Sequence, residues 1–165
     1  MRPTAELLAE GPILLYDGSC GVCSEAVQWI FRHERSHALR FAPLEGAVGA
    51  ELRQHARVPP SVDSLIWAEL RGGSVYAETH SGAALRVLAY VGGPWRLLGV
   101  LRLVPRGLRD AAYRAFAKVR YRIRAPSCLL PTPAERARFV GSLSAPDRRT
   151  AGTSAEAVPE RDGST

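Results

Sequence analysis

The chain has 165 residues, of which 46% are hydrophobic and 23% are charged, and this length is enough for one domain with its own hydrophobic core. Its 3 cysteines are too few for a disulfide framework, and no run of about 18 apolar residues is present to cross a membrane. The first ten residues hold one basic and two acidic side chains without a long apolar stretch, unlike a secretory signal. We therefore expect a soluble, cytoplasmic protein.

The hydrophobic pattern predicts alternating strands and helices. Ile13–Tyr16 is a short apolar run that stops at Asp17-Gly18, which is typical of a strand followed by a turn. From Cys20 to about Glu34 the apolar residues recur at helical spacing, with Ser19 as the expected N-cap. The other predicted elements are a strand at 39–42, a helix at 47–56, strands at 64–70 and 75–78 joined by a Gly72-Gly73 hairpin, a helix ending at Gly92-Gly93, a helix from Pro94 to about Val104 and a basic helix after Pro105.

This order predicts an α/β fold. The first two strands are joined through a helix and should be parallel, whereas the hairpin strands should be antiparallel. A helix-covered, four-stranded mixed sheet of this order is the thioredoxin-like plan. We expect that core at 11–93, a helical extension packed on it at 94–140, with Trp95 to Val104 packed mainly against the sheet, and a disordered tail at 141–165.

The motif with the clearest chemistry is Cys20-Gly21-Val22-Cys23, at the junction of the first strand and the first long helix. A helix N-terminus carries partial positive charge and unpaired N–H groups, which favour a thiolate at Cys20. Residues three apart share a helix face, so the two sulfurs can form and break a disulfide. We expect Cys20 to be the exposed, attacking thiol and Cys23 to be the more shielded, resolving one.

Two readings of Asp17, three residues before Cys20, stay open. A partly buried carboxylate there could accept the proton of Cys23 during resolution. Alternatively, Asp17 is a turn or cap residue, since Asp-Gly is common after a strand.

The cysteines also have alternatives to redox chemistry: they could be inert core thiols or two ligands of a zinc site. Zinc requires about four ligands, and the available partners, Cys128, His33, His37, His55 and His80, show no second paired spacing. A weaker possibility is metal held by Cys20, Cys23 and Cys128. We assign no metal site, and we expect Cys128 to be a lone thiol.

The positive charge of the chain is concentrated in one segment. The net charge is +6, yet nine basic residues and Asp110 alone give residues 95–124 a charge of +8, leaving −2 for the rest. Such a segment is either a solvated helix face or a surface for an anionic membrane or an acidic partner. Because no aromatic residues are interleaved on a sheet, we expect no nucleic acid binding.

The segment from Tyr16 to Cys23 resembles the start of the DCC family of thiol-disulfide oxidoreductases, whose signature is D-G-x-C-x-x-C after a first strand. Further points of resemblance over about residues 12 to 140 are Phe41-Ala42-Pro43-Leu44, Asp63-Ser64, Gly92-Gly93-Pro94-Trp95 and Arg120-Tyr121-Arg122. The resemblance implies a thioredoxin-like fold and a redox centre at Cys20 and Cys23, with Asp17 as part of the motif.

Sequence and resemblance together predict a thiol-disulfide oxidoreductase that forms a mixed disulfide with its substrate. It would need no bound cofactor, only a disulfide- or thiol-containing substrate and a redox donor or acceptor. The alternative is a basic helical module that binds an anionic membrane surface or an acidic partner, with cysteines that do not cycle.

Overall fold

A computed structural model describes residues 3–123 and 132–141 of the chain. Its centre is a four-stranded mixed sheet in the order β2-β1-β3-β4, formed by β1 (Ile13–Tyr16), β2 (Arg40–Pro43), β3 (Ile66–Arg71) and β4 (Ser74–Thr79). β1 pairs in parallel with β2 and antiparallel with β3, and β3 pairs antiparallel with β4. This is the mixed α/β sheet of the thioredoxin-like plan, so the predicted fold class is confirmed.

Helices cover the sheet and extend beyond it: α1 (Thr4–Ala9), α2 (Gly21–His33), α3 (Ala47–His55), α4 (His80–Val91), a 3₁₀ helix (Gly93–Leu103), α5 (Arg106–Ile123) and α6 (Pro133–Arg136). The short α1 was not predicted, although Leu7 and Leu8 are buried in the core. None of the helices described is long and apolar enough to cross a membrane.

Strand alternation divides the core into two layers. Leu14, Tyr16 and Trp67 point to the face that carries α2 and α4, where they pack with Cys20 and Cys23. The intervening residues, Ile13, Leu15, Ile66 and Ala68, pack on the opposite face with α1 and α3. Successive strand residues point to opposite faces, so one run such as Ile13–Tyr16 can serve both layers.

The hairpin between β3 and β4 is confirmed. Gly72 and Gly73 take positive φ values of 56° and 80°, the left-handed backbone that a tight two-residue hairpin requires. Glycine adopts this conformation without a steric penalty, which is why the Gly-Gly pair identified the turn.

The expectation that Trp95 to Val104 packs mainly against the sheet is wrong. This segment lies in the 3₁₀ helix, which has no buried residue. Its start is anchored by the half-buried Trp95 ring, which meets Trp29 edge to face at 5.0 Å between centroids, and near its end the Leu101 carbonyl accepts from Arg109 at 3.3 Å. Leu97, Val100 and Leu103 are 77%, 61% and 83% exposed.

The C-terminal segment 132–141 is attached to the β2 edge of the sheet. Phe41 N–H donates to the Arg138 carbonyl at 2.9 Å, and Val140 N–H donates to the Phe41 carbonyl at 2.8 Å. The Arg138 guanidinium also pairs with the Glu34 carboxylate, whose side chain has no solvent exposure. A buried carboxylate therefore depends on an arginine about a hundred residues away.

Burial alone would raise the pKa of Glu34. Hydrogen bonds from Arg138 and Tyr90, the charge of Arg138 and a contact with His37 outweigh that effect and hold the pKa below its ordinary value. The Tyr90 hydroxyl donates to Glu34 at 2.9 Å and accepts from Leu39 N–H at 2.9 Å.

The domain boundaries at 93 and 140 remain a prediction. The tail after residue 141 and Cys128 lie outside the described residues.

Candidate active site

The candidate site lies at one end of the sheet. Leu15 pairs with Ile66, and Ile66 pairs with Thr79, so these residues form one row across three strands. After β1, the chain continues from this row to Asp17 and the cysteines. After β4 it continues to α4, and Leu65 lies just before the start of β3. Elements distant in sequence therefore meet beside the cysteine motif.

Cys20 and Cys23 lie at the start of α2, as predicted, and neither is in a disulfide. Cys20 itself is the N-cap, and its Sγ accepts a hydrogen bond from the Cys23 backbone N–H at 3.4 Å. The prediction that Ser19 caps α2 is wrong, because its hydroxyl and its N–H both donate to Asp17. The sulfur thus satisfies a helix N–H that would otherwise have no partner within the helix.

Asp17 is buried and shapes the turn that leads into α2. Its Oδ1 accepts from the Ser19 N–H at 2.9 Å and from the Ser19 hydroxyl at 2.6 Å, and its carbonyl accepts from the Cys20 N–H at 3.3 Å. These contacts are those of an Asx-type turn, so the structure supports a positioning role. Its role as a proton acceptor remains a prediction.

The expectation that Cys20 is exposed and Cys23 more shielded is wrong. Cys20 is 1% exposed and Cys23 is 5% exposed. Both belong to the apolar cluster between the sheet, α2 and α4, against which Leu65 also packs. The two residues before Cys20, Gly18 and Ser19, are exposed, so the motif lies directly beneath the surface.

Sequence reasoning missed the residues of α5 that lie at this end of the sheet. α5 contacts both α2 and α4. The Tyr113 hydroxyl accepts a hydrogen bond from the Leu65 N–H at 3.4 Å, and the Tyr113 ring meets His80 edge to face. The backbone donor just before β3, next to the cysteine cluster, is therefore occupied by α5.

A second contact set fixes the start of α5 to the start of α4. The Asp110 carboxylate accepts from the Ser81 hydroxyl and, at 3.3 Å, from the Ser81 N–H. Arg109 Nε donates to the Ser81 hydroxyl at 2.9 Å. We call Ser81, Arg109 and Asp110 the α5 latch.

The electrostatics of the latch favour an ionised Asp110. Burial by itself would raise the pKa of this carboxyl, but the hydrogen bonds from Ser81 and the charges of Arg106 and His80 hold it below its ordinary value. No periodicity in the sequence signals these contacts, since the latch joins residues 28 and 29 positions apart.

No cluster of three or more His, Cys, Asp or Glu side chains that could hold a metal ion occurs in residues 3–123 and 132–141. Cys128, a ligand in the metal alternative, falls outside those ranges.

Comparison with known proteins shows which family the chain belongs to. A model of the DCC1-like thiol-disulfide oxidoreductases matches residues 14–125, which includes the cysteine motif, the hairpin and α5. The chain belongs to the DCC1-like family. No solved structure matches it.

Two relatives align with most of the chain. It is 35% identical over 131 residues to the uncharacterized protein YuxK of Bacillus subtilis (strain 168), an alignment that covers 78% of this chain and 93% of YuxK. It is 30% identical over 123 residues to the chloroplastic DCC family protein At1g52590 of Arabidopsis thaliana, covering 72% of this chain and 69% of that protein.

Proposed function

We propose that this protein is a thiol-disulfide oxidoreductase whose working pair is Cys20 and Cys23. The observation that carries the proposal is the placement of both cysteines at the start of α2, with the Cys23 N–H donating to Cys20 Sγ. Membership of the DCC1-like family supports the same chemistry.

In the first step, the Cys20 thiolate attacks one sulfur of a substrate disulfide. A bond forms between Cys20 Sγ and that sulfur, the substrate S–S bond breaks, and the departing sulfur leaves as a thiolate that takes up a proton. Before the attack, the Cys23 N–H donates to the Cys20 sulfur, which lies at the positive end of α2.

In the second step, the Cys23 thiolate attacks Cys20 Sγ and releases the second substrate sulfur as a thiol. Two electrons have then moved from the Cys20–Cys23 pair to the substrate, and a dithiol donor restores the pair by the reverse exchange. We propose that Asp17 accepts the proton of Cys23. Asp17 is buried and lies three residues before Cys20.

Substrate access requires a movement, because a thiol that is 1% exposed cannot meet a disulfide in solution. We assign this movement to α5, which occupies the Leu65 N–H through Tyr113 and is fixed to α4 by the α5 latch. Release of α5 would free the backbone donor of Leu65, a residue that packs against the cluster containing Cys20 and Cys23.

The alternative, in which the cysteines do not cycle, has one supporting observation: both thiols are buried in the apolar cluster. One experiment separates the two functions. The Cys23→Ser variant, in a Cys128→Ser background, is incubated with glutathione disulfide, and mass spectrometry follows the adduct at Cys20.

Under the proposal, Cys23→Ser accumulates a stable mixed disulfide at Cys20, because no thiol is present to resolve it. The protein with Cys23 intact passes through this adduct to an internal disulfide, and Cys20→Ser forms neither species. Failure of Cys23→Ser to form any adduct, with the fold intact by circular dichroism, would leave the non-cycling function as the better account.

A further inference from the structure

An exposed apolar surface is concentrated in the 3₁₀ helix and α5. Of the nine large hydrophobic side chains that are exposed in the described residues, eight lie between Leu97 and Val119. Leu97 is 77% exposed and Leu103 is 83% exposed. Large exposed apolar side chains concentrated in one part of a fold are typical of an interaction surface. We call this the 97–119 surface, formed by Leu97, Leu98, Val100, Leu101, Leu103, Leu108, Phe116 and Val119.

α5 has one face toward the protein and one toward solvent. The half-buried residues Asp110, Tyr113 and Ala117 recur at spacings of three and four, and they include the contacts to α4 and to Leu65 just before β3. Leu108, Phe116 and Val119 form a separate stripe at helical spacing and are 66%, 47% and 41% exposed. Packing onto the core therefore leaves the apolar stripe of α5 outward.

The same segment carries exposed basic side chains. Arg96, Arg102, Arg106, Arg114 and Lys118 are all exposed. The sole acidic residue of this segment, Asp110, accepts from Ser81 and forms a 3.5 Å ion pair with Arg106, so it offsets one of these five charges. The surface is thus both apolar and cationic.

We propose that the 97–119 surface docks on an anionic lipid bilayer, with the 3₁₀ helix and α5 lying in the plane of the interface. Exposed leucines and a phenylalanine would enter the boundary between headgroups and acyl chains, while the arginines meet the lipid phosphates. Basic side chains near such a surface are attracted by its negative potential, and the attraction falls with salt. A bilayer matches the charge and the apolar side chains without demanding a shaped groove.

This proposal is independent of the thiol chemistry. It uses side chains that point away from the core, whereas Cys20 and Cys23 are inside it. A Cys20→Ser/Cys23→Ser double variant is therefore expected to bind vesicles as the parent does, so either proposal can fail without the other.

The test is sedimentation of the full chain with vesicles of phosphatidylcholine alone or with about 30% phosphatidylglycerol, at low and high salt. The apolar variant is Leu97→Ser/Leu103→Ser, and Tyr76→Ser is the control, since Tyr76 is the one exposed large hydrophobic residue of the described part outside the surface. We expect binding to the anionic vesicles that is lost at high salt, at least tenfold weaker in the leucine variant and within twofold of the parent in Tyr76→Ser.

Four results would overturn the proposal. One is the absence of binding to anionic vesicles at low salt. A second is equal binding to both vesicle types. A third is an equal loss of binding in Tyr76→Ser and in the leucine variant. The fourth is a concentration-dependent dimer in sedimentation equilibrium that the leucine substitutions abolish while the protein binds no vesicles, which would make a second copy of the chain the occupant.

Discussion

Replacing Asp110 with alanine tests whether α5 controls access to Cys20. The substitution removes the acceptor of two hydrogen bonds from Ser81 and a 3.5 Å ion pair with the largely exposed Arg106. Alanine is a better helix former than aspartate, so α5 itself is not weakened. The contacts of α5 to the body are the ones affected.

The size of the effect follows from those contacts. The ion pair with Arg106 is worth well under about 1 kcal/mol because one partner is in solvent. Hydrogen bonds to a charged acceptor contribute about 1.5–3 kcal/mol each, and part of that is recovered when Ser81 meets water. A net loss of about 2 kcal/mol raises the open population of α5 about 30-fold, since about 1.4 kcal/mol corresponds to a factor of ten.

The assay is the rate at which iodoacetamide alkylates Cys20 under native conditions, in a Cys128→Ser background, read on the peptide that contains Cys20. Asp110→Ala is expected to accelerate alkylation about 30-fold. Arg138→Met is the control, because it lowers global stability at the β2 edge without touching α5. Alkylation of Asp110→Ala within threefold of the parent rate would refute the role of α5. Equal acceleration in both variants would show that exposure comes from global unfolding.

Arg138→Met should lower the free energy of unfolding by about 3–5 kcal/mol in urea, because it leaves the buried Glu34 carboxylate without its cation, and Glu34→Gln in the same chain should restore most of that loss; a loss below about 1 kcal/mol would contradict this account. The lowered pKa of Glu34 means that the folded state binds fewer protons than the unfolded state. The contribution of Glu34 to stability is therefore fully present above pH 4.5 and is lost as the pH falls through the lowered pKa. Glu34→Gln should flatten this part of the pH profile of urea midpoints, and an unchanged slope would exclude Glu34 as its source. Asp17→Asn keeps an Oδ1 acceptor for Ser19 but cannot take a proton, so resolution by Cys23 should slow at least about 100-fold in stopped-flow measurements while adduct formation at Cys20 is unchanged; resolution at the parent rate would reduce Asp17 to a turn residue.

The parts of the site that sequence predicts are those set by neighbours in the chain. The apolar run of β1, the Asp17-Gly18 turn and the helical spacing after it place Cys20 and Cys23 in the first turn of α2, as the structure has them. Local chemistry also identifies the hairpin, since Gly72 and Gly73 supply its positive φ values.

The parts that sequence does not predict depend on contacts between distant residues. Tyr113 meets the Leu65 N–H from 48 positions away, and Arg138 reaches Glu34 from 104 positions away. A helix pattern cannot tell which face of α5 turns inward, because its apolar stripe faces solvent and its inward face holds a charged latch. The motif alone therefore does not indicate that Cys20 is buried.

A redox titration measures whether Cys20 and Cys23 exchange electrons as a pair. Cys128→Ser protein is equilibrated in glutathione buffers of increasing oxidation, quenched with acid, and its remaining thiols are labelled with a mass tag in denaturant. We expect one transition from two labelled thiols to none, with a tenfold change in the equilibrium per roughly 30 mV, and loss of the internal disulfide in both Cys20→Ser and Cys23→Ser. Full labelling of both thiols at every buffer ratio would contradict it.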